Sequence, residues 1–369
     1  MTKKIISGME MRDRILAPKE KEFDLLVFIG RFQPFHNEHK RIIDIALEKS
    51  RNVLVLVGSA GKARTIRNPF TFEERRDMIL GSYDETIQKK HIIIKPLNDK
   101  TYNDAAWIKQ VQDIVKGTAL DIVNEGGFRV SGLADVRIGL VGASKDAHTE
   151  YYLRMFPQWK SVDAGIETDL NATTIRETYL SDGTVEIGAV PVNVANFLID
   201  FRFNGPHLQL HDELQFVRNY KKQWEAAPYP VKHATVDVVV EQSGHILLVK
   251  RRSEPGKGLW ALPGGHLNEY EKQLDGAIRE LREETKIKVP EAVLRGSIRD
   301  HETFDDPYRS TLGRVITKAY HFKLPDDITL PKVKGADDAI RAKWIPINDL
   351  HEEDFFDDHF FIISYFLGL

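Results

Sequence analysis

The sequence predicts two domains in tandem: an α/β domain built on a parallel sheet with helices on both faces, then a smaller α+β domain. Three observations lead there. Four short apolar runs at 25–29, 53–57, 91–95 and 138–141 alternate with segments of helical period at 39–50, 72–82, 104–116 and 149–155. Strands that are apolar throughout are buried on both faces, as in a parallel sheet covered by helices. Three of the runs end at Gly30, Gly58 and Gly142, and ligands bind beyond the carboxyl ends of such strands. Finally, a stretch at 206–232 holding Pro206, Pro228 and Pro230 breaks the pattern and reads as a connector.

Beyond it the texture changes. Runs at 234–241 and 245–251 flank Ser243-Gly244 and predict a hairpin. A helix is expected over 269–285, strands at 294–301, 314–324 and 340–345, and a last helix over 355–366. The expected boundaries are an extension at 1–22, a first domain at 23–205, the connector at 206–232 and a second domain at 233–369.

Composition narrows the function. With 52 Lys+Arg against 55 Asp+Glu, the formal net charge is -3, which supplies no global attraction to nucleic acid or an anionic membrane. There is no cysteine, so disulfides, thiolate metal sites and cysteine nucleophiles are excluded. No apolar run approaches the ~18 residues of a membrane span, and the first 22 residues have no signal-peptide core. A soluble cytoplasmic enzyme is the expectation, with the oligomeric state left open and a homo-oligomer allowed.

The first domain carries Gly30-Arg31-Phe32-Gln33-Pro34-Phe35-His36-Asn37-Glu38-His39 between its first strand and a helix. A helix N-terminus presents unpaired N–H groups and partial positive charge, which suits phosphate. His36 and His39, three apart, can both face a bound phosphate and stabilise charge on a transferring phosphoryl group. Asn171-Ala172-Thr173-Thr174-Ile175-Arg176 precedes a second helix. There Thr173 or Thr174 can cap the helix and bind phosphate, and Arg176 offers a planar, permanently charged donor fork. Gly58-Ser59-Ala60-Gly61-Lys62 fails as a Walker loop, because four residues must separate the glycines and Ala63 stands where Ser or Thr is needed.

In the second domain Gly265 is followed by Glu271 and then Arg279-Glu280-Leu281-Arg282-Glu283-Glu284-Thr285-Lys286-Ile287. On a helix Glu280, Glu283 and Glu284 share one face. Three carboxylates there repel unless hard cations sit between them, and oxygen ligands suit Mg²⁺ or Mn²⁺. Arg279 lies four residues before Glu283 and eight after Glu271, close enough to pin either.

These residues carry two resemblances. The stretch 23–205, on its Gly30–His39 loop, Ser59-Ala60, Asn68-Pro69-Phe70-Thr71, Glu74-Arg75 and Asn171–Arg176, resembles the Rossmann-like nucleotidyltransferase superfamily. Within it the likeness is to the nicotinamide mononucleotide (NMN) adenylyltransferases of archaeal type. That resemblance implies ATP triphosphate over the loop at Gly30, Arg31, Phe32 and Gln33, with His36, His39 and Arg176 as catalytic groups. It further implies nicotinamide stacked on Trp107 with Asn103 or Asp104 as an amide partner. Two positions depart from the family pattern: Glu38 stands where glycine precedes the second histidine, and Asn171 where serine opens the later motif.

The second domain resembles the Nudix hydrolases at every charged position of their box, with Lys286 replacing a glycine. The likeness implies Glu280, Glu283 and Glu284 as metal ligands, with Glu271 a further ligand or a partner of Arg279. The stretch from Arg251 to Gly265 is similar to the ADP-ribose-cleaving branch, which makes Arg251 and Gly265 expected substrate contacts. Both domains in this order look like the bifunctional NMN adenylyltransferase/Nudix hydrolases. The implied ligands are ATP, NMN, NAD and ADP-ribose, with Mg²⁺ as cofactor. Two rivals stand beside this reading: adenylyl transfer to another phosphate, and a Nudix domain that senses ADP-ribose without cutting it.

Overall fold

The computed structural model describes residues 21–85, 91–125, 133–143 and 154–369. The chain opens with β1 (Phe23–Gly30), α1 (Asn37–Lys49), β2 (Ser50–Val57), α2 (Phe72–Leu80), β3 (Ile92–Pro96) and α3 (Asp104–Asn124). β4 (Ile138–Gly142), β5 (Lys160–Asp163) and α4 (Ala172–Asp182) follow. The five strands are all parallel, in the order β3-β2-β1-β4-β5. Alternate residues of β1 and β2 feed two cores. Leu26, Phe28, Val53 and Val55 face one helical layer, and Leu25, Val27, Leu54 and Leu56 the other. This two-sided burial is why the strands read as unbroken apolar runs.

α3 extends past the expected end at 116. Val111, Val115, Ala119 and Ile122 continue one buried stripe, and Gly117 stands on the open side, where an added Cβ would meet nothing within 4 Å. β5 was not expected: only Val162 of its four residues is buried, so it has no apolar run. The helix expected over 149–155 falls almost wholly outside the described residues.

α5 (Val192–Arg202) and α6 (Gly205–Gln223) complete the helical layer. The segment read as a connector is thus mostly helix, and its Leu210 and Leu214 lie in the first core.

The second part contains β6 (Lys232–Gln242), β7 (His245–Arg251), β8 (Trp260–Ala261), β9 (Gly264–His266) and α7 (Gln273–Thr285). α8 (Glu291–Gly296), β10 (Ile298–Phe304), β11 (Arg314–Lys323), β12 (Ala339–Pro346) and α9 (His359–Leu367) complete it. The sheet is mixed, ordered β10-β11-β6-β7-β12, with β6 and β11 parallel. The strand expected over 294–301 is corrected: Leu294 belongs to α8, and β10 begins at Ile298. Pro290 at the N-cap favours a helical turn that buries Leu294 completely.

α7 lays Ala277, Ile278 and Leu281 on the second core. It ends at Lys286, which takes the left-handed conformation at φ 51°. A side chain there costs about 1 kcal/mol that glycine avoids. Lys286→Gly is therefore expected to raise stability by about 1 kcal/mol, read as a higher denaturation midpoint.

The two parts meet along a polar seam. Lys62 Nζ donates to the Asp357 carbonyl at 2.9 Å, and Arg67 donates to the carbonyls of Tyr308 and Ser310 (2.8 Å for the latter). Tyr102 Oη donates to Asp358 Oδ2 at 2.5 Å. Glu213 of α6 is buried here, and its carboxyl is pushed up to about 8, first by desolvation and then by the nearby Glu254. The folded chain therefore holds a proton that the unfolded chain releases above the usual carboxylate value of 4.5. Stability falls as pH rises from there to about 8. Glu213→Gln is expected to gain about 2 kcal/mol over the native chain at pH 8.5 and far less at pH 5, measured by thermal melts at both.

Candidate active sites

Register brings the ends of the first three strands together: Gly30 pairs with Val57, and Val57 with Pro96. A Cβ on Gly30 would lie 2.8 Å from the Phe32 ring, so the chain turns there without a side chain. Phe32, at φ 53°, is buried against the rings of Phe28 and His39. Gln33 is buried too; it donates to the Phe70 carbonyl at 2.9 Å and accepts from Phe70 N–H at 3.0 Å. These two side chains shape the loop from within.

His36 caps α1. Its Nδ1 accepts from the His39 backbone N–H and His39 Nδ1 accepts from that of His36, both at 3.4 Å. The rings stack with centroids 3.6 Å apart. Burial, and then His36 beside it, holds His39 well below 6.5. A neutral ring with Nδ1 accepting carries its proton on Nε2, which makes it a donor to a ligand. Glu38 turns aside: it is buried on Arg41 (3.0 Å to Nε) and accepts from Thr168 Oγ1 at 3.3 Å.

Arg176 is buried in the first turns of α4. Its Nε donates to the Ile66 carbonyl at 3.0 Å and Nη1 to that of Gln33 at 2.9 Å. The helix cap is Asn171, whose Oδ1 accepts from Thr173 N–H at 2.8 Å, and this corrects the expectation of Thr173 or Thr174. Asn171 has the extended backbone of a cap, whereas both threonines lie within the helix and are exposed.

Arg75, not among the expected site residues, is also buried. Its guanidinium donates to the carbonyls of Arg31 and Gly58, both at 2.7 Å, and of Ser59 at 3.2 Å. It stitches together the loops that leave β1 and β2. Burial lowers Arg75 and Arg176 to about 10, and Arg31 opposes the charge on both. Arg67 is lowered in the same way. Mutually repelling guanidinium groups at the strand ends favour a bound polyanion. Asn103 caps α3, accepting from Ala106 N–H at 3.0 Å, and the Trp107 ring packs 6.0 Å from Phe156.

The second site is the opposite case. Arg279 Nε and Nη2 clasp Glu271 at 2.8 and 2.9 Å, and Nη1 reaches Glu280 and Glu283, each at 2.8 Å. Gly264 N–H donates to Glu284 at 3.1 Å. A Cβ on Gly265 would stand 2.6 Å from Glu280 Oε1, so only glycine lets that carboxylate in. Desolvation raises Glu280 and pushes Glu284 up to about 8, and Glu280 adds to the shift of Glu284. Arg251 is half-buried beside them, donating to the Pro255 carbonyl at 2.9 Å with its guanidinium 4.0 Å over the Phe356 ring.

Among the described residues no three His, Cys, Asp or Glu groups already enclose a metal position, because Arg279 holds three of the glutamates. The donor chemistry nonetheless fits a hard divalent cation. Glu280 and Glu284 are oxygen donors that repel each other in a desolvated place, and a cation between them removes that cost.

Comparison with known proteins finds relatives of each domain and of the two together. The NUDIX domain model matches residues 231–364 and the cytidylyltransferase-like model residues 27–125. Over 193 residues the chain is 36% identical to a nicotinamide/nicotinic acid mononucleotide adenylyltransferase of Acinetobacter baylyi, spanning 52% of this chain and 94% of that protein. A Pyrococcus furiosus nicotinamide-nucleotide adenylyltransferase is 29% identical over 178 residues, 48% of this chain and 83% of its own. A bifunctional NMN adenylyltransferase/ADP ribose pyrophosphatase of Francisella tularensis, solved with AMP and a Mn ion, superposes with a TM-score of 0.85. It is 34% identical, covering 94% of this chain and 99% of that one.

The chain belongs to the bifunctional NMN adenylyltransferase/ADP ribose pyrophosphatase family. The guanidinium cluster lies in its nucleotidyltransferase domain and the glutamate helix in its Nudix domain. Arg67 and Arg75 went unpredicted as site residues because their burial depends on loops distant in sequence. The local signals are the Glu74-Arg75 pair quoted for the resemblance and the concentration of cations at Arg64, Arg67, Arg75 and Arg76 after the second strand.

Proposed function

We propose that the chain transfers an adenylyl group from ATP to NMN, giving NAD and pyrophosphate, and hydrolyses ADP-ribose to AMP and ribose 5-phosphate. The observation that carries this reading is the pairing, in one chain, of a buried guanidinium cluster at parallel-strand ends with an intact glutamate helix.

In the first reaction a phosphate oxygen of NMN attacks the α-phosphorus of ATP. The bond from that phosphorus to its bridging oxygen breaks, and pyrophosphate leaves. His36 and His39 donate from Nε2, and Arg176 and Arg31 offset the charge that accumulates on the phosphates. In the second site Glu280, Glu283 and Glu284 would hold the metal, and Arg251 would take a substrate phosphate. Arg279 orients Glu271 and also bonds Glu280 and Glu283. A divalent cation bound there, Mg²⁺ or Mn²⁺, would supply charge neutralisation and acidify a water. No helix among the described residues is long and apolar enough to cross a membrane, and a cytoplasmic location suits all four ligands.

The test is to incubate the protein with Mg²⁺ and ADP-ribose, and separately with ATP and NMN, and to separate the products by chromatography. AMP with ribose 5-phosphate, and NAD with pyrophosphate, are expected. Saturable ADP-ribose binding without cleavage would replace the hydrolase with a sensor. Dinucleotide formation from a different phosphate acceptor would replace NMN.

A further inference from the structure

A cavity of about 250 Å³ lies where the two domains meet. One wall is made by the loops that leave β1, β2 and β3, through Arg31, Ser59 and Asp99. The other is made by Tyr308 and Thr311 of the connection between β10 and β11. The volume is near the lower end of ligand cavities, which run from about 300 Å³. Its position beyond the carboxyl ends of parallel strands is where such sheets bind ligands. His36 and His39 at the start of α1, and Arg176 of α4, do not line it. The cavity extends over the β1-β2-β3 half instead.

Two residues of this lining carry a buried polar atom with no hydrogen-bond partner among the described residues: Asn68 Oδ1 from the first domain and Thr311 Oγ1 from the second. Buried polar atoms are normally paired, so an orphan on each wall of one cavity marks a place kept for a ligand. A threonine hydroxyl turns to donate or accept as its partner requires. Arg31, Lys62 and Arg67 in the same lining can meet a phosphate, while Asp99, Asp306 and Asp357 beside them can accept from ribose hydroxyls; Arg309 and Asp358 pair with each other. Tyr308, 67% exposed, stands in it as a flat aromatic face. Cations, hydroxyl partners and an aromatic plane together fit a phosphorylated ribose bearing a small ring.

We infer that the Nudix domain forms part of the acceptor subsite of the adenylyltransferase, with Thr311 and Tyr308 binding the mononucleotide. This rests on the adenylyltransferase reading, since an acceptor must lie beside the ATP held by His36, His39 and Arg176.

The test uses the full chain with NMN as the probe, titrated by calorimetry and in steady-state turnover, for the native protein, Thr311→Val and Tyr308→Ala. Loss of one ligand contact is expected to raise the Kd and KM for NMN about fivefold or more in each variant. KM for ATP stays within twofold, and ADP-ribose hydrolysis is unchanged, which shows that the Nudix domain is folded. An unchanged Kd for NMN in either variant overturns the inference, as does an equal rise in KM for ATP or a native protein that binds no NMN. Native binding of NMN without dinucleotide formation sinks the adenylyltransferase reading instead, and the variant Kd values still judge the wall.

Discussion

Arg176→Ala is expected to lower kcat/KM for adenylyl transfer by about 10²–10³-fold, the usual cost of removing one fixed donor from developing charge. Hydrolysis of ADP-ribose in the same preparation should stay within twofold. The guanidinium is held before any substrate arrives, because Nε and Nη1 are anchored on the carbonyls of Ile66 and Gln33. Its Nη2 is 3.4 Å from Thr173 Oγ1, a weaker contact that leaves this edge as the one to offer phosphate. Burial and the charge of Arg31 already lower it to about 10, so an incoming polyanion relieves an existing strain in the electrostatics. Arg176→Lys tests the geometry separately from the charge. An ammonium cannot bridge two carbonyls and a phosphate with one planar fork. The lysine variant should recover less than a tenth of the lost rate. Full recovery would mean that charge alone matters at this position.

Glu284→Gln should reduce ADP-ribose hydrolysis by about 10³-fold while adenylyl transfer continues, in line with the loss of one group from a catalytic set. The amide oxygen can still accept from Gly264 N–H, which the carboxylate does at 3.1 Å. The side chain therefore keeps its place and loses only its charge. Glu284 is buried, with Glu280 and Asp237 opposing its ionisation. Neutralising it should leave the melting temperature of the metal-free protein unchanged or higher. Added Mg²⁺ should then stabilise the variant less than the native chain. Hydrolysis at the native rate would remove Glu284 from the metal site, and a lower melting temperature without metal would contradict the account of its burial.

Much of this was legible in the residues. The apolar runs at 25–29 and 53–57 are unbroken because both faces of β1 and β2 are buried, which removes the polar alternation of a half-exposed strand. The helix carrying Glu280, Glu283 and Glu284 was legible because its spacing is local and its other face, Ala277, Ile278 and Leu281, is apolar. β5 was not legible, since Lys160, Ser161 and Asp163 are exposed on a sheet edge. Leu294 was placed in a strand because a short apolar run such as Ala292-Val293-Leu294 suits either state; the prolyl cap before it and the core beneath it decided for α8.

By itself, then, the sequence determined which segments are buried strands, which helix gathers carboxylates, and where a histidine pair opens a helix. All three are written in spacing between near neighbours. Tertiary structure alone decided that Arg31, Arg67, Arg75 and Arg176 share one field, that Arg279 clasps three glutamates, and that Thr311 and Asn68 line one cavity at the domain seam. These depend on burial and on charge at short range. Both arise only when loops distant along the chain are packed together and water is driven from between them.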